Sequence, residues 1–319
     1  MNIPNNYYNR PSNINPRKKY ITVTIEKKEK CGNFETMMWR IASLNELSIY
    51  LNRIMYVDRK DKCLLQQREE FKEIFKNTQN YFKIKNPSRD STAIVAFAEH
   101  CCRFDNPDRL MSTHATLLKI TGKLLQSHKY LSLNKAKDRV RSLFEFNKSV
   151  IERTNNYTKK LFRNDSSHKL CVHMERENLL EMGQATGLYL TEQLIAFIYK
   201  TLKKRTKNIS IVLIGRDTNF LNMVRGIEGL PIYISAIRNR GVELNFAISN
   251  CNSLLITAST SKEAWWIGYL MPDGSPIYYN NCLGIDCKSI FKKDYFPPEW
   301  LPLTTDYQGN IILDDNPFE

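Results

Sequence analysis

Three short segments carry residue types suited to holding an anion, and each follows a short apolar run. The first is His173-Met174-Glu175-Arg176-Glu177. An arginine just past a strand end can offer a bidentate fork to a pyrophosphate with no metal between them. Pairing with the neighbouring glutamates is an equal account of the same residue. The second segment is Gly215-Arg216-Asp217. Its carboxylate can accept hydrogen bonds from a base or ribose, or it can cap the helix expected from Asn219 onward. The third is Ser259-Thr260-Ser261, between the run Leu254 to Thr257 and a helix carrying Trp265-Trp266. Hydroxyls beside the free N–H groups of a helix start suit a phosphate. A serine N-cap on a core helix explains them without a ligand. Gly32-Asn33 is a further candidate, because glycine lets backbone approach a ligand closely; a plain turn explains it too. The two tryptophans either stack on a sugar or base, or belong to the core.

These segments need elements to hold them, and the pattern supplies two α/β halves. Tyr20 to Ile25, Arg53 to Val57 and Ala93 to Ala98 read as strands. Between them lie a helix with Met37, Ile41, Leu44 and Leu51 on one face, and another over Cys63 to Phe82. Helices are also expected over Leu117 to Tyr130 and Lys135 to Phe162. The polar stretch Arg163 to Ser167 divides the halves. Beyond it the expected strands are Leu170 to Met174, Ile209 to Ile214, Ile232 to Ser235, Leu254 to Thr257 and Pro276 to Tyr279. Helices are expected over Leu188 to Lys204, Asn219 to Arg225 and Lys262 to Met271. Short apolar strands alternating with helices imply right-handed crossovers and a parallel sheet. Such sheets bind ligands past the carboxyl ends of their strands, where all three segments lie.

Composition narrows the classes. The chain has 319 residues, 42% of them hydrophobic, enough for about two domains. The net charge of +14 favours an anionic partner. The cations are scattered in short clusters such as Lys203-Lys204-Arg205, with no nucleic-acid module or basic-aromatic stripe, so nucleic acid is disfavoured. The eight cysteines form no paired C-x-x-C pattern, which argues against a zinc site. The even count permits disulfides without requiring them, and Cys171 and Cys251, in expected buried strands, read as plain core thiols. There is no G-x-G-x-x-G, no Walker motif, no Ser-His-Asp pattern and no run of 18 apolar residues. Residues 1–18 read as a disordered polar arm without a signal core. Sequons at Asn147, Asn156, Asn164 and Asn208 give weak support to a secretory route.

Taken together, the segments resemble the alpha-1,2-fucosyltransferases of glycosyltransferase family 11, in particular a divergent nematode branch. The family's strand followed by His-x-Arg-Arg-x-Asp is matched by His173-Met174-Glu175-Arg176-Glu177-Asn178. Its strand ending near Gly-Asp-Asp is matched by Val212 to Phe220. Its Ser-Thr-Phe-Gly-Trp-Trp is matched by Ser261-Lys262-Glu263-Ala264-Trp265-Trp266. Leu124 to Leu131, Gly32-Asn33 with Ile41 to Leu44, and Phe296 to Leu303 resemble further family elements. The resemblance implies a GT-B-like α/β fold, two Rossmann-like domains whose parallel sheets face a cleft. It divides the chain into an acceptor-side domain, 19–165, a GDP-fucose-binding domain, 166–300, and a C-terminal tail, 301–319.

It further implies transfer of L-fucose from GDP-fucose to the 2-hydroxyl of a galactoside on a glycan, with inversion and no metal or other cofactor. The expected partners are GDP-fucose and a galactose-containing glycan acceptor, with no nucleic acid. Donor-site residues would be His173, Arg176, Asp217, Ser259, Thr260, Ser261, Gly32 and Asn33, with Arg176 on the diphosphate. The location implied is the lumenal side of the Golgi membrane, with attachment to it only if an N-terminal anchor is missing from this sequence, in which no anchor or signal is visible. For the catalytic base, Glu175 and Glu177 are the candidates, with Glu35 also possible. Glu175, Glu177 and Asn178 depart from the first motif, and Lys262-Glu263 replaces Thr-Phe in the third. These departures open a second reading, a catalytically inactive relative that binds glycans or partners.

Overall fold

A computed structural model describes residues 18–24, 32–57, 61–78, 91–122, 125–135, 137–281 and 290–315. The expected arm at 1–18 lies almost entirely outside them, as do Ile25 and the end of the helix expected to reach Phe82. The first half runs β1 (Tyr20–Val23), α1 (Phe34–Tyr50), β2 (Ile54–Met55), α2 (Lys62–Ile74), β3 (Thr92–Val95), β4 (Leu117–Ile120), α3 (His128–Leu131), α4 (Lys137–Leu143) and α5 (Lys148–Phe162). Its four strands are all parallel, in the order β2-β1-β4-β3.

The second half begins with β5 (His168–Met174), α6 (Glu177–Glu181), α7 (Leu188–Lys203), β6 (Ile209–Gly215), α8 (Thr218–Met223) and β7 (Ile232–Ile234). It continues with α9 (Arg240–Asn250), β8 (Ser253–Ile256), α10 (Lys262–Leu270), β9 (Ile277–Asn280), α11 (Lys292–Tyr295), β10 (Leu301–Thr305) and β11 (Ile311–Leu313). The sheet order is β11-β10-β9-β8-β5-β6-β7, and only the β10–β11 pair is antiparallel. Strand order reverses between β5 and β8, which creates the crevice where such sheets take ligands. Residues throughout β6 and β8 are buried, as a sheet covered on both faces requires. This is the GT-B-like α/β architecture expected from the sequence.

Four expectations need correction. Leu117 to Tyr130 is not one helix: Leu117–Ile120 is the strand between β1 and β3. Pairing on both edges there outweighs the weak helical preference of leucine and lysine. The helix expected over Lys135 to Phe162 breaks after Leu143, where Phe146 bridges Phe75 and Asn147 N–H bonds the Ile74 carbonyl at 2.9 Å. Residues 301–313 are not a tail, because β10 joins β9 and extends the sheet. Cys171 and Cys251 are not free core thiols but form a disulfide from β5 to the end of α9, with Cα atoms 5.6 Å apart.

One apolar core joins the halves. Trp39 of α1 packs against Trp265 and Trp266 of α10, with ring centroids 4.0 and 5.1 Å apart. The halves also share α5, which follows the first sheet yet packs on α9: Tyr157 meets Phe246 edge-on at 5.5 Å. A second core, including Leu194 and Ile198 of α7, covers the other face of the second sheet. Burying this much aromatic surface fixes α1 against α10, and with it the start of α1 against the strand ends.

Candidate functional site

A cleft of about 200 Å³ opens past the carboxyl ends of β5 and β6. The β5 end contributes His173 to Glu177, and the β6 end contributes Gly215 and Arg216. Asn33 and Glu35 enter from the start of α1, Arg240 and Glu243 from α9, and Glu263 from α10. At the β6 end a Cβ on Gly215 would stand 2.3 Å from the Met174 carbonyl oxygen of its β5 partner. Only glycine permits that approach.

His173 is 2% exposed, and its Nδ1 has no hydrogen-bond partner among the described residues. Its carbonyl accepts from the N–H and hydroxyl of Thr257, at 3.2 and 3.0 Å, which ties β5 to β8. Burial lowers the imidazole pKa to about 4, with Glu175 opposing and Arg216 assisting. A neutral, buried imidazole with a vacant ring nitrogen is suited to hydrogen-bonding a ligand.

Arg176 is held on three sides. Its guanidinium lies 3.9 Å over the Phe220 ring, Nη1 donates to the Thr186 carbonyl at 2.9 Å, and Nε is 3.3 Å from Asp217 Oδ2. Asp217 Oδ1 accepts from Phe220 N–H at 3.0 Å, capping α8. Both oxygens of Asp217 are thus engaged by protein, and the residue is not part of the cleft lining. The capping role, rather than ligand binding, is the one its contacts support.

The Ser259-to-Ser261 turn also lies elsewhere. Ser261 Oγ accepts from Ala264 N–H at 3.2 Å and caps α10, while the Thr260 hydroxyl donates to Gln184 Oε1 at 2.7 Å. Ser259 lines a different cavity, about 280 Å³, between the start of α7 and the ends of β9 and β10. Glu263, one turn further on, is the residue of that segment that faces the main cleft. Trp265 and Trp266 are fully buried and donate to the carbonyls of Tyr295 and Glu35, at 3.0 and 3.1 Å. Neither can stack on a sugar or base.

Asn33 reaches the cleft while capping α1, with its Oδ1 accepting from Thr36 N–H at 3.0 Å and the Thr36 hydroxyl at 2.6 Å. A Cβ on Gly32 would stand 2.7 Å from Thr36 Cγ2, so its small size serves the helix start.

Acidic residues dominate the cleft's inner wall. Glu35 Oε1 is 3.3 Å from Arg240 Nε, whose Nη1 reaches Glu70. Arg216 Nη2 is 3.9 Å from Glu263 Oε2, and the Arg216 side chain remains 45% exposed. Burial raises the Glu35 pKa to about 7 and that of Glu243 to about 8, and the Glu263 charge adds to both. Burial raises Glu263 as well, and it lowers Lys262. Among the described residues no group of three or more His, Cys, Asp or Glu is placed to hold a metal ion.

Sequence reasoning missed Arg240 and Glu243 because α9 was not assigned. The available signal was Asn239 as an N-cap followed by Val242 and Phe246 on one face.

No protein-family model matches the chain. A Caenorhabditis elegans galactoside 2-alpha-L-fucosyltransferase is 26% identical over 302 residues, covering 91% of this chain and 81% of that one. A second C. elegans chain, given the same activity provisionally in its name, is 25% identical over 314 residues, 91% of this chain and 80% of that one. Among solved structures, an Arabidopsis thaliana fucosyltransferase variant in complex with GDP matches with TM-score 0.53 at 10% identity, covering 94% of this chain and 80% of that one. NodZ alpha-1,6-fucosyltransferase soaked with GDP-fucose matches with TM-score 0.51 at 12% identity, covering 93% and 99%. Those structural likenesses speak to the fold. In sequence this chain is similar to C. elegans proteins named galactoside 2-alpha-L-fucosyltransferase, and its fold is the GT-B architecture of solved fucosyltransferases.

Proposed function

We propose that the protein is a fucosyltransferase that moves L-fucose from GDP-fucose to the 2-hydroxyl of a galactoside on a glycan. The observation that carries this reading is the cleft past the carboxyl ends of β5 and β6, where His173, Arg176 and Arg216 of one half meet Asn33 and Glu35 of the other. A nucleotide-sugar bridging two domains needs that arrangement. The names of the C. elegans relatives support the activity and the 2-position. The GDP and GDP-fucose in the titles of the structural neighbours support the donor.

In this reading transfer inverts the anomeric centre. The acceptor oxygen forms a bond to C1 as the bond from C1 to the phosphate oxygen breaks. The electron pair leaves with GDP, and the acceptor proton goes to a base. The negative charge on the leaving diphosphate is met by arginine, so the reading requires no metal. Arg216 is the more available cation, because Arg176 is already shared between Asp217, Thr186 and Phe220. The Cys171–Cys251 disulfide suits the oxidising, lumenal compartment of this reading.

The test is transfer of labelled fucose from GDP-fucose to a panel of β-galactosides, with and without a chelator. Product linked at the 2-hydroxyl, at a rate unchanged by the chelator, is expected. Absence of product on every acceptor, with no hydrolysis of GDP-fucose, contradicts the reading.

A further inference from the structure

Five carboxylates line the cleft: Glu35, Glu175, Glu177, Glu243 and Glu263. Among the described residues only Glu35 of these comes from the first half, the half expected to hold the acceptor in the fucosyl-transfer reading. From this placement we infer that Glu35 is the catalytic base that takes the proton from the acceptor hydroxyl. The assignment rests on the fucosyl-transfer reading above.

Several contacts fix Glu35 in position. It sits in the first turn of α1, and its carbonyl accepts from Trp266 Nε1 at 3.1 Å, so the aromatic core sets its place. Its side chain is only 6% exposed yet lines the cleft. Arg240 Nε stands 3.3 Å from Oε1, and the Arg240 guanidinium is itself fixed over the Phe34 ring at 5.0 Å and by Glu70. A carboxylate held this way is oriented before substrate arrives.

The other four carboxylates fit the role less well. Glu177 is exposed at the start of α6, and Glu175 lies on the donor side of the cleft, next to the His173 strand end. Glu243 belongs to α9 of the second half, and burial raises its pKa to about 8. Glu263 belongs to α10 of the second half, with its Oε2 3.9 Å from Arg216 Nη2. Glu35, raised to about 7, is poised where proton transfer at neutral pH is most effective. The charges around it are Arg240 and Glu243 on α9, Glu70 on α2, Lys262 and Glu263 on α10, Glu175 after β5 and Arg216 after β6. In the step itself the acceptor O–H proton moves to the Glu35 carboxylate as the acceptor oxygen bonds to C1 and GDP departs.

The experiment compares the full chain with Glu35→Gln, measuring the pH dependence of kcat with GDP-fucose and a galactoside, and GDP affinity by calorimetry. Wild-type kcat should climb with pH and level off above about 7. Glu35→Gln should bind GDP within about twofold of wild type while kcat falls about 10²- to 10⁴-fold and loses that pH limb. A Glu35→Gln enzyme within tenfold of wild-type kcat, or a wild-type profile flat across pH 6 to 8, overturns the assignment alone. A wild type that neither binds GDP nor transfers fucose overturns the functional reading as well, and this assignment falls with it.

Discussion

Arg176 and Asp217 meet across the ends of β5 and β6, with Nε 3.3 Å from Oδ2, while Asp217 Oδ1 caps α8. One carboxylate therefore ends a helix and orients an arginine of the cleft. The two roles separate by substitution. Asparagine caps helices as well as aspartate does, whereas alanine does not. Asp217→Asn should keep its stability within about 0.5 kcal/mol, while Asp217→Ala loses about 1 kcal/mol or more. Both should leave GDP binding no weaker, because Arg176 sheds the carboxylate that now shares it. Chemical denaturation beside calorimetry checks the pair, and equal stability of the two variants would refute the capping role.

The cleft makes stability depend on pH in a defined direction. Folded Glu35 and Glu243 have pKa values of about 7 and 8 against 4.5 for the free side chain. Between those values the folded chain holds more protons than the unfolded one, so the stability they contribute falls as pH rises. His173 acts oppositely, with about 4 folded against 6.5 free, and its contribution is lost as pH falls below 6.5. From pH 6.5 to 8 the stability contributed by the two glutamates falls, whereas that of His173 is already largely established. The thermal midpoint of the unliganded protein should decline across that window, and Glu243→Gln should flatten the decline. A midpoint that rises over the same interval would contradict the carboxylate burial described above.

The Cys171–Cys251 bond closes a separation of 80 residues between β5 and the end of α9. Removing a native disulfide of this kind costs about 2–5 kcal/mol. Cys251→Ser, or a reducing agent, should lower the melting midpoint by several degrees. Unchanged melting under reduction, with free thiols counted at both positions, would show that the bond contributes nothing.

The halves are joined through Trp39, whose ring centroid is 4.0 Å from that of Trp265. Such a contact should make them unfold together. Calorimetry is expected to give one transition for the wild type, and Trp39→Ala should lose about 3–5 kcal/mol. Two separate transitions in the wild type would mean that the aromatic contact does not couple the halves.

Much of this molecule was legible from local pattern. The buried strands Leu170 to Met174 and Ile209 to Ile214 are mostly apolar runs, and the structure pairs them side by side in the interior of the sheet. Leu117–Ile120 was not legible, because its strand state comes from paired residues at least 25 positions away, as in the pair Thr92 with Leu117. At the site, His173 and Arg176 stand at the cleft, but Ser259-to-Ser261 does not, since caps and ligand sites use the same residue types. Arg240, Glu243 and Glu263 were not recognised, because nothing in their spacing reports that α9 and α10 converge on the start of α1. Glu35 was visible only as one glutamate among several until Trp266 was seen to hold its turn in place.

The central claim is that the cleft of His173, Arg176 and Arg216 holds a guanosine diphosphate sugar. Calorimetric titration of GDP into the full chain, repeated with Arg216→Ala, tests it most directly. The account predicts saturable heat for one site and an affinity at least tenfold weaker in the variant, about 1.4 kcal/mol. Absence of heat with folded wild-type protein, or equal affinity in both, would contradict it.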